Sequence, residues 1–172
     1  TTEIYTLSLH DALPILFPKE ELTAKLALKP GDIFNAMNVQ KDAMALGDKY
    51  KDLGYAFATI GNATNFRRDE LLLDFTYVIQ KGEKARFGRI EITGNDGTRD
   101  WTVRRELRIY EGDLYNETKR RESEARIRRL GFFEKVEIRP RPSQTTGEVD
   151  VVVEVKERQT GAFSIGAGFS SV

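Results

Sequence analysis

Leu26-Ala-Leu-Lys-Pro-Gly31-Asp32-Ile33-Phe34-Asn35 and Leu107-Arg-Ile-Tyr-Glu-Gly112-Asp113-Leu114-Tyr115-Asn116 are one ten-residue phrase written twice. Both keep Leu, Gly, Asp and Asn in place, with an aliphatic–aromatic pair between Asp and Asn. Further along, Leu53-Gly54-Tyr55 matches Leu130-Gly131-Phe132. Leu73-Asp74-Phe-Thr-Tyr-Val-Ile79 then matches Val149-Asp150-Val-Val-Val-Glu-Val155. The offsets are 81, 77 and 76, so order is kept and one copy is shorter by about a helical turn. Ordered self-similarity of this kind marks a repeat and decides the architecture.

Each copy reads the same way. Val39, Ala43, Leu46, Tyr50 and Leu53 recur at three- or four-residue steps, which puts them on one helix face. Asn38 is read as its N-cap and Gly54 as the C′ residue. The second long helix runs from Asn116 to Leu130 and ends at Gly131, with a thin stripe of Ser123, Ile127 and Leu130. A shorter helix precedes each, Lys19–Leu26 and about Arg99–Arg108, with the Gly-Asp pair turning the chain between. Two strands follow each long helix. Val149, Val151, Val153 and Val155 face one way and Asp150, Glu154 and Lys156 the other, a half-buried strand. Leu71, Leu73, Phe75, Tyr77 and Ile79 repeat that alternation. Phe87, Ile90 and Ile92 form an opening strand ending at Gly94-Asn95. One unit is therefore β-α-α-β-β, a mixed three-stranded sheet with two helices on one face, in the α+β class.

Composition narrows the chemistry. The 172 residues carry 27 basic and 27 acidic side chains and no cysteine. The lone histidine is His10, so thiolate metal sites, cysteine nucleophiles and a His-based acid–base pair in the body of the chain are excluded. Ser143, Ser164 and Ser170 have no candidate base, and no carboxylate sits in a context that would tune it for proton transfer. No apolar run reaches the ~18 residues of a spanning helix. Residues 1–84 have a net charge of −2 and residues 85–172 of +2, without the positive excess of a phosphate-binding surface.

The last twelve residues change character. Phe163, Ile165, Ala167 and Phe169 alternate with Ser164, Gly166, Gly168 and Ser170, with no charge on the polar face. A soluble glycine-rich strand gives this pattern, and so does a membrane barrel strand with lipid outside and lumen inside.

The second copy, with Phe87-Gly-Arg-Ile-Glu-Ile-Thr-Gly94-Asn95, Val103-Arg104-Arg105-Glu106-Leu107-Arg108, Glu111-Gly112 and Arg129-Leu130-Gly131-Phe132-Phe133-Glu134-Lys135-Val136, resembles the last POTRA domain of the BamA family of outer-membrane protein assembly factors. Val155-Lys156-Glu157-Arg158-Gln159-Thr160-Gly161-Ala-Phe163 resembles that family's junction into the first barrel strand, and the first copy resembles the preceding POTRA domain. The resemblance implies tandem POTRA domains over 17–84 and 85–160, followed at 161–172 by the beginning of a transmembrane β-barrel. Tyr5-Thr-Leu-Ser-Leu-His-Asp-Ala-Leu-Pro-Ile15 departs from the pattern and resembles translated adapter DNA. Residues 1–16 are therefore expected to be a non-native leader, and the first domain to lack its opening strand.

The resemblance further implies no catalysis, cofactor or metal, and a place at the bacterial outer membrane with this segment in the periplasm. The membrane is then reached through a barrel beyond residue 172. Unfolded outer-membrane proteins are the expected clients, received by β-augmentation on the edge strands near Phe57 and Ile60 and near Phe133, Val136 and Ile138. The competing reading has these edges blunted by Pro140 and the charges Lys135, Glu137 and Arg139. Arg104, Arg105 and Glu111 match the family surface that faces accessory lipoproteins, against the reading of ordinary surface ion pairs. Barrel transporters of the two-partner secretion or translocation-assembly type also carry POTRA domains and remain an alternative. A KH-like RNA-binding module is a distant one: Gly94-Asn-Asp-Gly97 spells GxxG, yet Asp96 opposes phosphate and Glu117, Glu122 and Glu124 dilute the basic helix. No nucleic-acid partner is expected.

Overall fold

The computed structural model describes residues 3–11, 17–24, 26–69 and 72–158, so the glycine-rich tail at 161–172 lies outside it. The first unit contains β1 (Glu3–Asp11), α1 (Lys19–Ala24), α2 (Ala36–Asp52), β2 (Thr59–Arg67) and β3 (Leu72–Gln80). The second repeats the order with β4 (Arg86–Thr93), α3 (Asp100–Arg104), α4 (Glu117–Arg129), β5 (Phe133–Pro142) and β6 (Glu148–Glu157). The sheets run β1-β3-β2 and β4-β6-β5, each with a parallel pair on one side and an antiparallel pair on the other.

Two cores result. Leu22, Leu28, Leu46, Tyr50, Phe75 and Tyr77 fill the first, and Phe87, Val103, Tyr115, Ile127, Val149 and Val153 fill the second. The period-2 alternation of β3 and β6 therefore faces the helices, as their sequences demand. Gly54 and Gly131 end the long helices at φ +99° and +77°, a backbone region open to glycine. The long helices differ by one turn: α2 has 17 residues and α4 has 13, the four-residue gap between offsets 81 and 77.

Three readings need correction. The N-cap of α2 is Asn35, whose side chain accepts from Met37 N at 2.9 Å; Asn38 lies inside the helix. The phrase repeat already pairs Asn35 with Asn116, the N-cap of α4. Second, Glu3–Asp11 occupies the opening-strand position, paired in parallel with β3, so the first sheet does not lack that strand. Third, the short helices end at Ala24 and Arg104, two and four residues before Leu26 and Arg108, because the following turn is tied to the long helix. In the first unit the buried Asp42 carboxylate accepts from Ala27 N (2.7 Å), Leu28 N (3.0 Å) and the Tyr77 hydroxyl (3.1 Å). Burial, with that carboxylate alongside, pushes the Tyr77 phenol well above its usual range. In the second unit Ser123, also buried, accepts from Arg108 N at 2.7 Å. The two positions are related by the offset of 81.

Candidate partner-binding surfaces

The edge strands carry the first surface. Phe57 lies in the turn before β2 and is exposed, while Ile60 lies in β2, half-buried and opposite Ile79. Phe133, Val136 and Ile138 lie in β5 with their side chains buried in the second core. The two edges differ in what the neighbouring helix does to them. From α4, Arg120 donates to the Ile138 carbonyl at 2.6 Å and Arg128 to the Val136 carbonyl at 3.2 Å. Backbone groups of alternate strand residues point the same way, so Pro140 and Pro142 share this outward side and offer no N–H to it. Two carbonyls on the outer edge of β5, at Val136 and Ile138, are thus engaged from within the unit, and two of its outward positions are prolines.

Among the described residues of the first unit no helix arginine reaches a β2 carbonyl in the same way. Helix α2 contains no arginine, and β2, Thr-Ile-Gly-Asn-Ala-Thr-Asn-Phe-Arg, contains no proline. Between them runs a groove of about 470 Å³ lined on the helix by Gln40, Ala43, Met44, Gly47, Asp48 and Lys51, on the strand side by Ala58, Thr59 and Ile60, and at its rim by Arg121 of α4, paired with Asp48. A Cβ on Gly47 would stand 3.7 Å from Ile60 Cγ1, so the small residues set the groove's depth. Met44 is 55% exposed there.

The second surface gathers Arg104 and Glu111 around a shallow hollow of about 260 Å³, with Ile90, Leu107, Ile109 and Tyr110 as its apolar floor and wall. A bulge in β4 between Phe87 and Ile90 builds it. Two amides near the bulge are capped by carboxylates: Arg89 N by Asp150 at 2.9 Å and Ile90 N by Glu111 at 2.8 Å. A Cβ on Gly88 would displace the Asp150 carboxylate from its bond to Arg89 N. Arg104 bonds Asp100 at 3.0 Å and reaches the Ile90 carbonyl at 3.4 Å. Arg105 lies over the Trp101 ring, 4.9 Å from its centroid. Trp101 and Tyr110, both exposed, flank the charges. Sequence reading missed them, although an aromatic one turn before Arg105 on a short helix was a usable signal.

The GxxG loop is occupied by the chain itself. Glu157 accepts from Gly97 N at 3.0 Å and Thr98 N at 2.6 Å, and its carboxyl is held below the usual range by the Thr98 hydrogen bonds and the Gly97 amide. A Cβ on Gly94 would overlap the Val155 carbonyl. These glycines serve close packing against β6, and the Gly97 and Thr98 amides are not free for phosphate. Among the described residues, no group of three potential metal ligands is present and no helix is long and apolar enough to cross a membrane.

The POTRA family model, described as surface antigen variable number repeat, matches residues 15–82 and again 85–158. The chain belongs to the POTRA family. Its two POTRA units are 42% identical over 133 residues to the outer membrane protein assembly factor BamA of Nitratidesulfovibrio vulgaris, covering 77% of this chain and 17% of that protein. BamA of Neisseria meningitidis serogroup B is 33% identical over 153 residues, 88% of this chain and 19% of the relative. Among solved structures, Haemophilus influenzae BamA POTRA3-5 superposes with a TM-score of 0.84 at 30% identity, covering 91% of this chain and 61% of that one. BamA from Haemophilus ducreyi lacking POTRA domains 1-3 gives 0.74 at 26% identity, with coverage of 93% and 30%. The chain thus spans about a fifth of the length of the sequence relatives it matches. The first family match begins at residue 15, after β1, whereas the second takes in its opening strand β4.

Proposed function

We propose that these POTRA units are the periplasmic part of an outer-membrane protein assembly factor, receiving unfolded barrel proteins on the β2 edge. The resemblance to BamA over most of the chain supports assembly over transport by other POTRA-bearing barrels. The carrying observation is the contrast between the two edges: β5 has two outer carbonyls held by Arg120 and Arg128, and β2 adjoins a groove whose floor is small and apolar and whose rim carries Gln40, Asp48, Lys51 and Arg121. An extended segment added to β2 satisfies its main chain on the edge, and every second side chain enters the groove. Recognition through backbone tolerates many client sequences, which suits a general receptor. The hollow at Arg104 and Glu111, with Arg105 and Trp101 beside it, docks accessory lipoproteins through charge-assisted hydrogen bonds around an apolar centre.

Filling the groove as α4 fills its own tests the client reading. Met44→Arg places a guanidinium beside β2 at an exposed site that should tolerate it. Binding of a fluorescent barrel-strand peptide of about ten residues is expected to weaken about tenfold or more, while Arg128→Ala leaves it unchanged. Undiminished binding to the Met44→Arg protein would overturn the assignment to β2.

A further inference from the structure

The groove beside β2 changes character along its length. On α2 its lining steps from Gln40 through Ala43, Met44 and Gly47 to Asp48 and Lys51, one helix face at three- and four-residue spacing. The apolar middle lies against Ile60, and the Lys51 end lies toward the turn that leads into Thr59. At that end the second unit takes away the carboxylates that Lys51 has beside it on the helix. Asp48, three residues earlier, receives two Arg121 nitrogens at 2.7 and 2.8 Å. Asp52, the next residue, accepts from Thr118 N and Oγ1 at 2.8 and 2.7 Å. Arg121 is held in addition by Glu117 at 2.9 Å. Lys51, half-buried, pairs with no carboxylate among the described residues. The groove thus ends on an ammonium whose charge is left unanswered.

We propose that Lys51 is a specificity-determining residue of the client groove, selecting extended segments whose row of side chains facing α2 is apolar and ends in a carboxylate. This inference rests on the assignment of clients to β2 and says what they carry. In an added strand, alternate side chains share one row about 7 Å apart. Met44 and Lys51 are about 10 Å apart along the helix axis, so a carboxylate two residues past the apolar side chain comes within reach of the lysine stem. A barrel strand has this pattern at the end of its lipid-facing row, where the apolar band gives way to water. A row that stays apolar covers the ammonium without answering it, and a basic end is repelled. The carboxylate comes from an Asp or Glu side chain or from a chain end. A segment antiparallel to β2 brings its C-terminal end to Lys51, and a parallel one its N-terminal end.

Fluorescent barrel-strand peptides of about ten residues, with blocked termini, test this against the 172-residue chain. One set ends its apolar row in Asp, at either the C-terminal or the N-terminal end. A second has Asn at those places, and a third has the Asp moved one residue, onto the opposite face. The first set is expected to bind about threefold to fivefold more tightly than the others at low salt, with the advantage fading as salt rises. Its better end gives the direction of the added strand. An Asn peptide with a free C-terminal carboxylate that regains the advantage shows that a chain end serves as well. In Lys51→Gln the Asp-to-Asn ratio should fall to about one, and in Lys51→Glu it should invert. Equal affinities for Asp and Asn peptides overturn the proposal, as does a preference that survives Lys51→Gln. The Asn peptide separates the two readings. If Met44→Arg weakens its binding while no Asp preference exists, β2 remains the client edge and Lys51 loses its role. If no peptide binds the native chain, both fall.

Discussion

Glu111 does two things at once. Its carboxylate closes the β4 bulge by accepting from Ile90 N, and it presents negative charge at the rim of the hollow beside Arg104. The two roles separate by substitution. Glu111→Gln keeps an oxygen for Ile90 N and removes the charge; Glu111→Lys loses both. Binding of the accessory lipoprotein, followed by titration at several salt concentrations, should weaken for Gln, with thermal stability changed by less than about 1 kcal/mol. For Lys it should be abolished, with stability falling as well. Full-strength binding by the Gln variant would show that the charge is not what a partner reads. Family resemblance alone brought Arg104, Arg105 and Glu111 to attention, but only the bulge explains why a carboxylate stands there.

At the scale of elements, α4 has little apolar stripe and is held in place largely by charge. Glu117, buried in its first turn, accepts from the Tyr115 hydroxyl at 2.8 Å, from Arg120 at 2.7 and 2.9 Å and from Arg121 at 2.9 Å. Burial alone would raise its carboxyl, but the Arg120 and Tyr115 hydrogen bonds and the two guanidinium charges outweigh it and hold the pKa near about 2. A depressed carboxylate stabilises the fold above its unfolded value and loses that contribution as pH falls toward the folded one. Glu117 should thus supply roughly 2–3 kcal/mol at neutral pH, fading between about pH 4.5 and 2. Urea melts of the native chain and of Glu117→Gln should converge across that window. Parallel pH profiles would exclude this origin. The helices, strands and turn glycines were legible because period, caps and punctuation are local. The hold of α4 on the β5 carbonyls was not, since it depends on arginines that read as solvated charge until the strand is seen beside them. Pro140 and the charges Lys135, Glu137 and Arg139 pointed only to a blunted edge.

For the molecule as a whole, the junction between the units is built from the end of one long helix meeting the start of the other. Asp52 sits at the N-terminus of α4, where unpaired amides and the helix dipole favour a carboxylate, so the first unit caps a helix of the second. Ala85 N adds a 2.8 Å hydrogen bond to the Gly54 carbonyl, and Ala56 of the first unit joins the second core. Asp52→Ala should cost about 1–2 kcal/mol and loosen the units. Residual dipolar couplings that fit one alignment frame in the native chain should then need two. A single frame for the variant would show that the apolar contact alone fixes the angle. The repeat disclosed two units at once, yet their docking was hidden, because Asp48 and Asp52 read as surface charge on an amphipathic helix.

The clasp at the end of β6 has a mechanical consequence. Glu157 is bound to the Gly97 and Thr98 amides, and Arg158 N to the Phe132 carbonyl at 2.8 Å, so the outgoing backbone is fastened on two sides. Tension applied through whatever follows residue 158 cannot simply peel the last strand away. It is delivered first to the loop that launches α3, and through it to Trp101 and Arg104, so a tug on the outgoing chain would be felt at the surface proposed here for partner docking.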